Sequence, residues 1–333
     1  MNKVPQMHNG VPQALVDFIR EGSAFLVAGH REPDGDCVGS QLALSSVLER
    51  LGKRALPCSA GPFKRPEVKP YEGRFTARPG PEERKGARVI VVDCSAPDRT
   101  GDLSSFLEGL PTAVIDHHKT GDHGLCRAGS PLYLDPLAPS TTFMVRRLVD
   151  ALGLELTKEE AGLLFFGLCT DTGFFRHVDS NGAETFAAAS ALIRAGANPK
   201  QTFMAINGGK SLDSRKLLGL LLSRAESHFG GRLILSYEEL EETARFGLEG
   251  RDSDSLYQLL QSVAGVEAIV IIRQEEPGTC TIGLRSRDAV DVAAVAASLG
   301  GGGHKNAAGA SCPGTIAPLR LAILEAFGKI FQE

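Results

Sequence analysis

Carboxylates and imidazoles recur in this chain just past short apolar runs. His30-x3-Asp34-x-Asp36 follows the run at residues 24–29, and Asp93 follows the run at 88–92. Asp116-His117-His118 follows residues 112–115, and Asp171 sits in Cys-Thr-Asp-Thr-Gly after a long helical stretch. Four separated segments thus deliver hard O and N donors. Such a set can hold two divalent ions about 3.5–4 Å apart, which clamp the attacking and leaving oxygens of an in-line phosphoester displacement with a bridging hydroxide as nucleophile. Mixed carboxylate and imidazole donors suit Mn²⁺, with Mg²⁺ or Co²⁺ as alternatives, rather than a thiolate zinc site.

The elements that must position these residues alternate. Buried strands are predicted at 24–29, 87–92 and 112–115, and helices at 38–51, 141–152 and after Thr157. Thr157 with Glu160 reads as a capping box, and Asn181 with Glu184 as another helix start. This alternation predicts an α/β fold with a mostly parallel sheet covered on both faces. Ligands in such sheets bind beyond the carboxyl ends of the strands, where His30, Asp93 and Asp116 fall. Residues 64–84 are polar and proline-rich and read as a surface insertion. Residues 196–211, with Pro199 and Gly208-Gly209, break the pattern and read as a linker into a helix at about 212–228. Beyond it come strands at 232–236, 267–273 and 279–285, helices at about 252–264, 291–299 and 317–331, and a glycine-rich loop at 300–309. The expected division is residues 1–207 for the metal-binding domain, 208–228 for linker and connecting helix, and 229–333 for a smaller α/β substrate-binding domain.

Each motif has a blander reading. Asp34 and Asp36 could simply cap a helix, since carboxylates favour helix starts. Asp93 alone is an ordinary strand end. Two adjacent histidines after a buried strand are harder to explain as packing, and Asp171 at a helix C-terminus opposes the helix dipole, which hints at a compensating cation. Cys37, Cys94 and Cys169 neighbour these ligands, but adjacent residues of an extended chain face opposite sides, so they read as packing, with direct ligation the lesser alternative. Gly300–Gly303 with His304 and Lys305 could approach an anion closely through backbone N–H groups. Arg285 and Arg287, at a strand end, offer guanidinium forks for phosphate. Asn207–Ser211 resembles the end of a phosphate-binding P-loop, but Met204 stands where that motif needs glycine.

Composition narrows the partners. Lys plus Arg is 36 and Asp plus Glu is 40, for a net charge of −4 over 333 residues. A binder of long duplex nucleic acid would carry a basic surface, so a short anionic substrate held by metals and a few arginines fits better. Seven scattered cysteines with no C-x-x-C pair suit reduced thiols. The N-terminus lacks an apolar core of signal-peptide length, and no segment reaches the roughly 20 apolar residues of a membrane span. These features lead to the expectation of a cytoplasmic protein with no membrane partner, either monomer or homodimer.

Taken together, GHREPDGDCVGS, VVDCS, IDHH and CTDTG in the first part, and GLRSR and GGGHKNAAG in the second, resemble the DHH phosphoesterases with their DHHA1 partner domain. Length and layout are most similar to the NrnA type, whose members degrade oligoribonucleotides of a few residues and in many cases dephosphorylate 3′-phosphoadenosine 5′-phosphate. The resemblance implies that His30 and Asp34 bind one metal and that Asp36, His117 and Asp171 bind the other, with Asp93 bridging. It implies that Asp116 orients His117 and that His118 contacts the scissile phosphate. Arg285, Arg287, Gly302, Gly303 and His304 would hold substrate, in an active site at the inter-domain cleft. Gly121 departs from the asparagine many relatives carry three residues after the second histidine. The expected substrates are short oligoribonucleotides, including pGpG- or pApA-type dinucleotides, and small phosphonucleotides. The alternatives are an inorganic pyrophosphatase of the same superfamily and a nucleotide-binding regulator without turnover.

Overall fold

The computed structural model describes residues 7–8, 10–118, 124–125, 129–180, 182–287 and 290–331. The helix start expected at Asn181 and the departure at Gly121 lie outside these residues. The chain divides into two compact units, Met1–Gly208 and Gly209–Glu333.

In the first unit, α1 (Gln13–Glu21) leads into β1 (Ala24–Ala28), α2 (Gly35–Arg50) and β2 (Arg54–Cys58). Then come β3 (Arg88–Val92), β4 (Thr112–Asp116) and β5 (Leu132–Leu134). Four helices close the unit: α3 (Thr141–Ala151), α4 (Lys158–Asp171), α5 (Ala183–Arg194) and α6 (Pro199–Asn207). The strands form one sheet in the order β2-β1-β3-β4-β5, with every pairing parallel. Helices and loops cover both faces, so the central strands are continuous apolar runs rather than alternating ones. Phe25, Val27, Ile90 and Ile115 enter one core cluster, while Leu26, Ala28, Val91 and Val114 enter the other. That is the period-2 geometry of a pleated strand, in which neighbours face opposite sides.

The second unit begins with α7 (Leu212–Ser223), β6 (Glu226–His228), β7 (Leu233–Glu238) and α8 (Leu240–Phe246). It continues through α9 (Ser253–Gln261), β8 (Ala268–Glu276), β9 (Thr279–Ser286) and α10 (Val292–Ser298). It ends with β10 (Gly302–His304), β11 (Ala307–Pro313) and α11 (Ile316–Phe331). Its sheet runs β10-β11-β9-β8-β7-β6, parallel only between β7 and β8. Ile323 and Phe327 of α11 pack with Val270 and Leu284 on one face, and Leu221 and Leu256 pack with Ile269 and Ile271 on the other.

Several expectations need correction. Residues 196–211 are not simply a linker, because Asn198 caps α6 through its side chain and Pro199 opens the helix. A proline there is compatible with helix, since the first N–H groups have no intrahelical partner. The helix expected to reach 228 stops at Ser223, and the chain turns into β6. The loop expected at 300–309 is mostly a hairpin of β10 and β11. Its glycines serve close strand approach. A Cβ on Gly301 would lie 2.1 Å from the Gly309 carbonyl oxygen, and one on Gly303 would lie 2.6 Å from that of Ala307. Strand β2 escaped the sequence reading because Pro57 interrupts it, yet β2 is an edge strand, where the missing N–H breaks no ladder.

Candidate metal centre

The carboxyl edge of the first sheet and the N-termini of two helices converge on one cluster. His30 lies two residues past β1, Asp93 directly past β3, and Asp116 ends β4 with His117 following. Asp34 caps α2, accepting from the Asp36 and Cys37 N–H groups at 3.1 Å. The capping reading of Asp34 is therefore correct, and it leaves one oxygen outside those bonds. His30 Nε2 lies 3.8 Å from Asp34 Oδ1 and 3.4 Å from Asp93 Oδ2. His117 Nε2 lies 3.5 Å from Asp93 Oδ1 and 3.5 Å from Asp171 Oδ2. Asp93 thus stands between the two imidazoles, and its φ of 63° is unusual for a residue with a side chain. Ligand atoms of Asp36, His117 and Asp171 lie within 4.8 Å of one another, as do those of Asp93, His117 and His118. His30, Asp34, Asp36, Asp93, His117 and Asp171 therefore form one connected patch.

The hydrogen bonds point each donor. His30 Nδ1 is 2.8 Å from the Arg31 carbonyl, and His117 Nδ1 is 3.3 Å from that of Ala138. A carbonyl only accepts, so both Nδ1 atoms carry a proton, and Nε2 is the nitrogen each ring turns toward the carboxylates and would offer to a metal. His117 Nε2 is buried and has no hydrogen-bond partner among the described residues. The Asp116 carboxylate meets His118, not His117. Its Oδ1 lies 2.8 Å from His118 Nδ1 and accepts the His118 backbone N–H at 3.1 Å. The turn after β4 folds His118 back over the strand end, a detail that adjacency in sequence does not reveal.

Two threonines were missed. Thr141 and Thr142 begin α3, and their N–H groups donate to Asp36 Oδ2 at 2.6 Å and Oδ1 at 2.8 Å. Thr142 Oγ1 adds a third bond at 2.6 Å, and Thr141 Oγ1 donates to Asp93 at 3.0 Å. Asp36 is thus locked in place by a helix N-terminus, with a lone pair of Oδ2 left over. The available signal was Pro-Ser-Thr-Thr, a helix start whose N–H groups favour an anion.

Helix α2 carries Asp36 and α4 carries Asp171, and glycines bring them together. A Cβ on Gly39 would lie 2.5 Å from the Leu163 carbonyl oxygen, and one on Gly167 would lie 2.4 Å from Thr142 Cγ2 and 3.0 Å from Asp36 Cα. The capping box at Thr157 adds a tie: fully buried Glu160 accepts from Thr157 N–H, Ser46 and Arg50 at 2.8, 2.8 and 2.7 Å.

Electrostatics call for a cation here. Burial, then the Asp93 and Asp171 charges, hold the Asp36 carboxyl well above its ordinary range. Burial first, with Asp93 and Asp34 adding to it, pushes Asp171 up to about 6. Burial disfavours the charged form of His30, but Cys37 and the carboxylates of Asp34 and Asp93 outweigh it and raise its pKa. Four carboxylates in one patch repel each other unless a positive charge joins them. The donor set, the orphaned His117 nitrogen and this repulsion all fit divalent metal.

In the second unit, Arg285 and His304 share a face. Register pairs Arg285 with Ala307 and Ala307 with His304, so a small alanine separates them in one cross-strand row. The Arg285 guanidinium lies over the Tyr257 ring at 4.7 Å. Arg287 is exposed and donates to the Gln261 carbonyl at 2.5 Å. Gly302 has open space where a Cβ would stand.

A parallel sheet with carboxylates and imidazoles beyond its carboxyl edge, followed by a second α/β unit with an Arg–His row, defines a two-unit α/β protein with a candidate metal centre. Residues 24–168 match the DHH family N-terminal domain, and residues 233–333 match the DHHA1 domain. The chain is 34% identical over 297 residues to the bifunctional oligoribonuclease and PAP phosphatase NrnA of Thermus thermophilus, covering 88% of this chain and 85% of that protein. An exopolyphosphatase-related protein from Bacteroides fragilis shares the fold with a TM-score of 0.81 at 23% identity, covering 100% of both chains. Exonuclease RecJ bound to manganese follows at 0.52 and 17%, covering 99% of this chain and 96% of that one. The chain belongs to the DHH/DHHA1 phosphoesterases and is NrnA-like. Among the described residues no helix is long and apolar enough to cross a membrane.

Proposed function

We propose that this protein hydrolyses short oligoribonucleotides, pGpG- and pApA-type dinucleotides included, to 5′-mononucleotides, and 3′-phosphoadenosine 5′-phosphate to AMP. The observation that carries the reading is the convergence of His30, Asp34, Asp36, Asp93, His117 and Asp171 on one sheet edge. His30 and Asp34 would hold one ion, Asp36, His117 and Asp171 the other, and Asp93 both. Two divalent ions, Mn²⁺ by preference, supply Lewis-acid charge and an activated water when bound. The protein's own part is orientation. The Arg31 and Ala138 carbonyls fix two imidazoles, and Thr141 and Thr142 fix two carboxylates. Asp116 holds His118, whose Nε2 is then free to meet a phosphate oxygen and stabilise its growing charge. In the second unit, Arg285 and His304 would bind phosphate, with the Gly302 and Gly303 backbone beside them and Arg287 as a further cation.

The test is a product assay with Mn²⁺ on pGpG, a labelled five-nucleotide RNA, 3′-phosphoadenosine 5′-phosphate and pyrophosphate in parallel, with Asp93→Ala as control. Release of 5′-mononucleotides that the control lacks supports the reading. Turnover of pyrophosphate alone would establish the pyrophosphatase alternative. Nucleotide binding without turnover of any substrate would make the protein a binding regulator.

A further inference from the structure

Cys37 sits where the sequence argument from side alternation does not put it. Asp36 and Cys37 lie in the first turn of a helix, where successive side chains are about 100° apart rather than opposed. Ligand atoms of Cys37, His30 and Asp93 all lie within 4.8 Å of one another, and all three residues are buried. Gly29 makes the space: a Cβ there would lie 2.3 Å from Cys37 Sγ. The neighbouring His30 ring is already oriented by the Arg31 carbonyl, with Nε2 toward the cluster.

A second contact decides which ions can use the thiol. Cys37 Sγ donates to Gln41 Oε1 at 3.4 Å. That amide cannot turn, because its nitrogen donates to the Val27 and Cys58 carbonyls at 2.8 and 2.7 Å. The fixed Gln41 oxygen favours the protonated thiol. A hard ion such as Mn²⁺ gains little from sulfur and leaves the thiol protonated, whereas Zn²⁺, Cd²⁺ or Co²⁺ gains enough from a thiolate to displace the proton.

We propose that Cys37, with His30 and Asp93, forms a thiophilic-metal site overlapping the hydrolytic centre, so that Zn²⁺ binds there in a mode Mn²⁺ does not use. The proposal rests on the functional reading only in sharing His30 and Asp93. On binding, the S–H bond breaks, the thiol proton leaves to solvent together with any proton on His30 Nε2, and Sγ donates its electron pair to the ion. Sulfur ligation shifts the ion from the place a carboxylate-bound ion takes, so Zn²⁺ inhibits the Mn²⁺ enzyme.

The experiment uses the full chain stripped of metal. Co²⁺ is titrated while absorption is scanned for a thiolate-to-cobalt charge-transfer band. Zn²⁺ affinity is measured by competition with a chromophoric chelator, for wild type and for Cys37→Ser and Cys37→Ala. The expected result is a band in wild type that both variants lack, and Zn²⁺ affinity lowered on the order of 10–100-fold in both, with Mn²⁺ affinity within about threefold of wild type. Unchanged Mn²⁺ binding also certifies the fold of each variant. Absence of the band in wild type, its survival in the variants, or unchanged Zn²⁺ affinity overturns the proposal. A band at Cys37 in a protein that hydrolyses no nucleotide would overturn the functional reading and leave this one standing.

Discussion

Replacing Gly167 by alanine tests how the centre is held together. The new methyl carbon would lie 2.4 Å from Thr142 Cγ2, 3.0 Å from Asp36 Cα and 3.0 Å from the Gly35 carbonyl oxygen. Carbon atoms rest at about 3.5–4 Å, so Thr142 must retreat by about 1 Å and Asp36 by about 0.5 Å. Those two residues are joined by bonds of 2.6 and 2.8 Å that aim the Asp36 carboxylate. A displacement of about 1 Å at a catalytic constellation costs on the order of 10²-fold in rate, and overpacking of this kind costs about 1–3 kcal/mol of stability. Gly162→Ala on the same helix is the matched control. Its Cβ meets nothing within 4 Å, so the better helix propensity of alanine should stabilise the protein by about 0.4–1 kcal/mol. The assay is thermal melting with and without Mn²⁺, Mn²⁺ binding by calorimetry, and turnover of a short oligoribonucleotide. Gly167→Ala should melt lower, bind Mn²⁺ more weakly and lose about two decades of kcat, while Gly162→Ala should lose nothing. If Gly167→Ala folds, binds Mn²⁺ and turns over like wild type, the claim that α2–α4 contact sets the site is wrong.

Three further outcomes are expected. Mn²⁺ at 100 times its Kd should stabilise the protein by about 2.7 kcal/mol, and a chelator should reverse the gain; a melting point indifferent to Mn²⁺ would refute the cation-deficient cluster. Asp93→Ala removes the carboxylate between His30 and His117, so hydrolysis should fall to background while circular dichroism stays native; residual turnover near wild type would refute the bridging role. In the second unit, burial opposes the ionised form of Asp252, but bonds from Ser255 and Arg215 outweigh it and hold its pKa below the ordinary value. A lowered folded pKa gives stability that is present above the unfolded value of about 3.9 and lost as pH falls through the folded one. Acid melts of wild type and Asp252→Asn should therefore differ near neutrality and converge as pH falls through the lowered folded value.

The strands that carry the ligands are legible in local sequence. β1 is a short apolar run and β3 and β4 are short β-branched ones, and parallel strands buried on both faces read as continuous apolar runs whatever surrounds them. So are the side chains beyond their carboxyl ends, because position past a strand end is a local property. The capping box at Thr157 was legible for the same reason. What the sequence left open depends on contacts between segments far apart in the chain. Thr141 and Thr142 reach Asp36 across more than a hundred residues, so no local pattern shows the bond. Whether Asp116 turns to His117 or to His118 depends on the path of the chain after β4, and only the fold decides it. The glycines of residues 301–303 read equally as an anion loop or as close-packed strands until the pairing of β10 with β11 is seen. Cys37 moved from packing residue to favoured ligand when a helical first turn replaced the extended chain that side-alternation assumes. Residue chemistry and local periodicity are written in the chain, but the distances that turn donors into a metal centre are set by tertiary packing between separate elements.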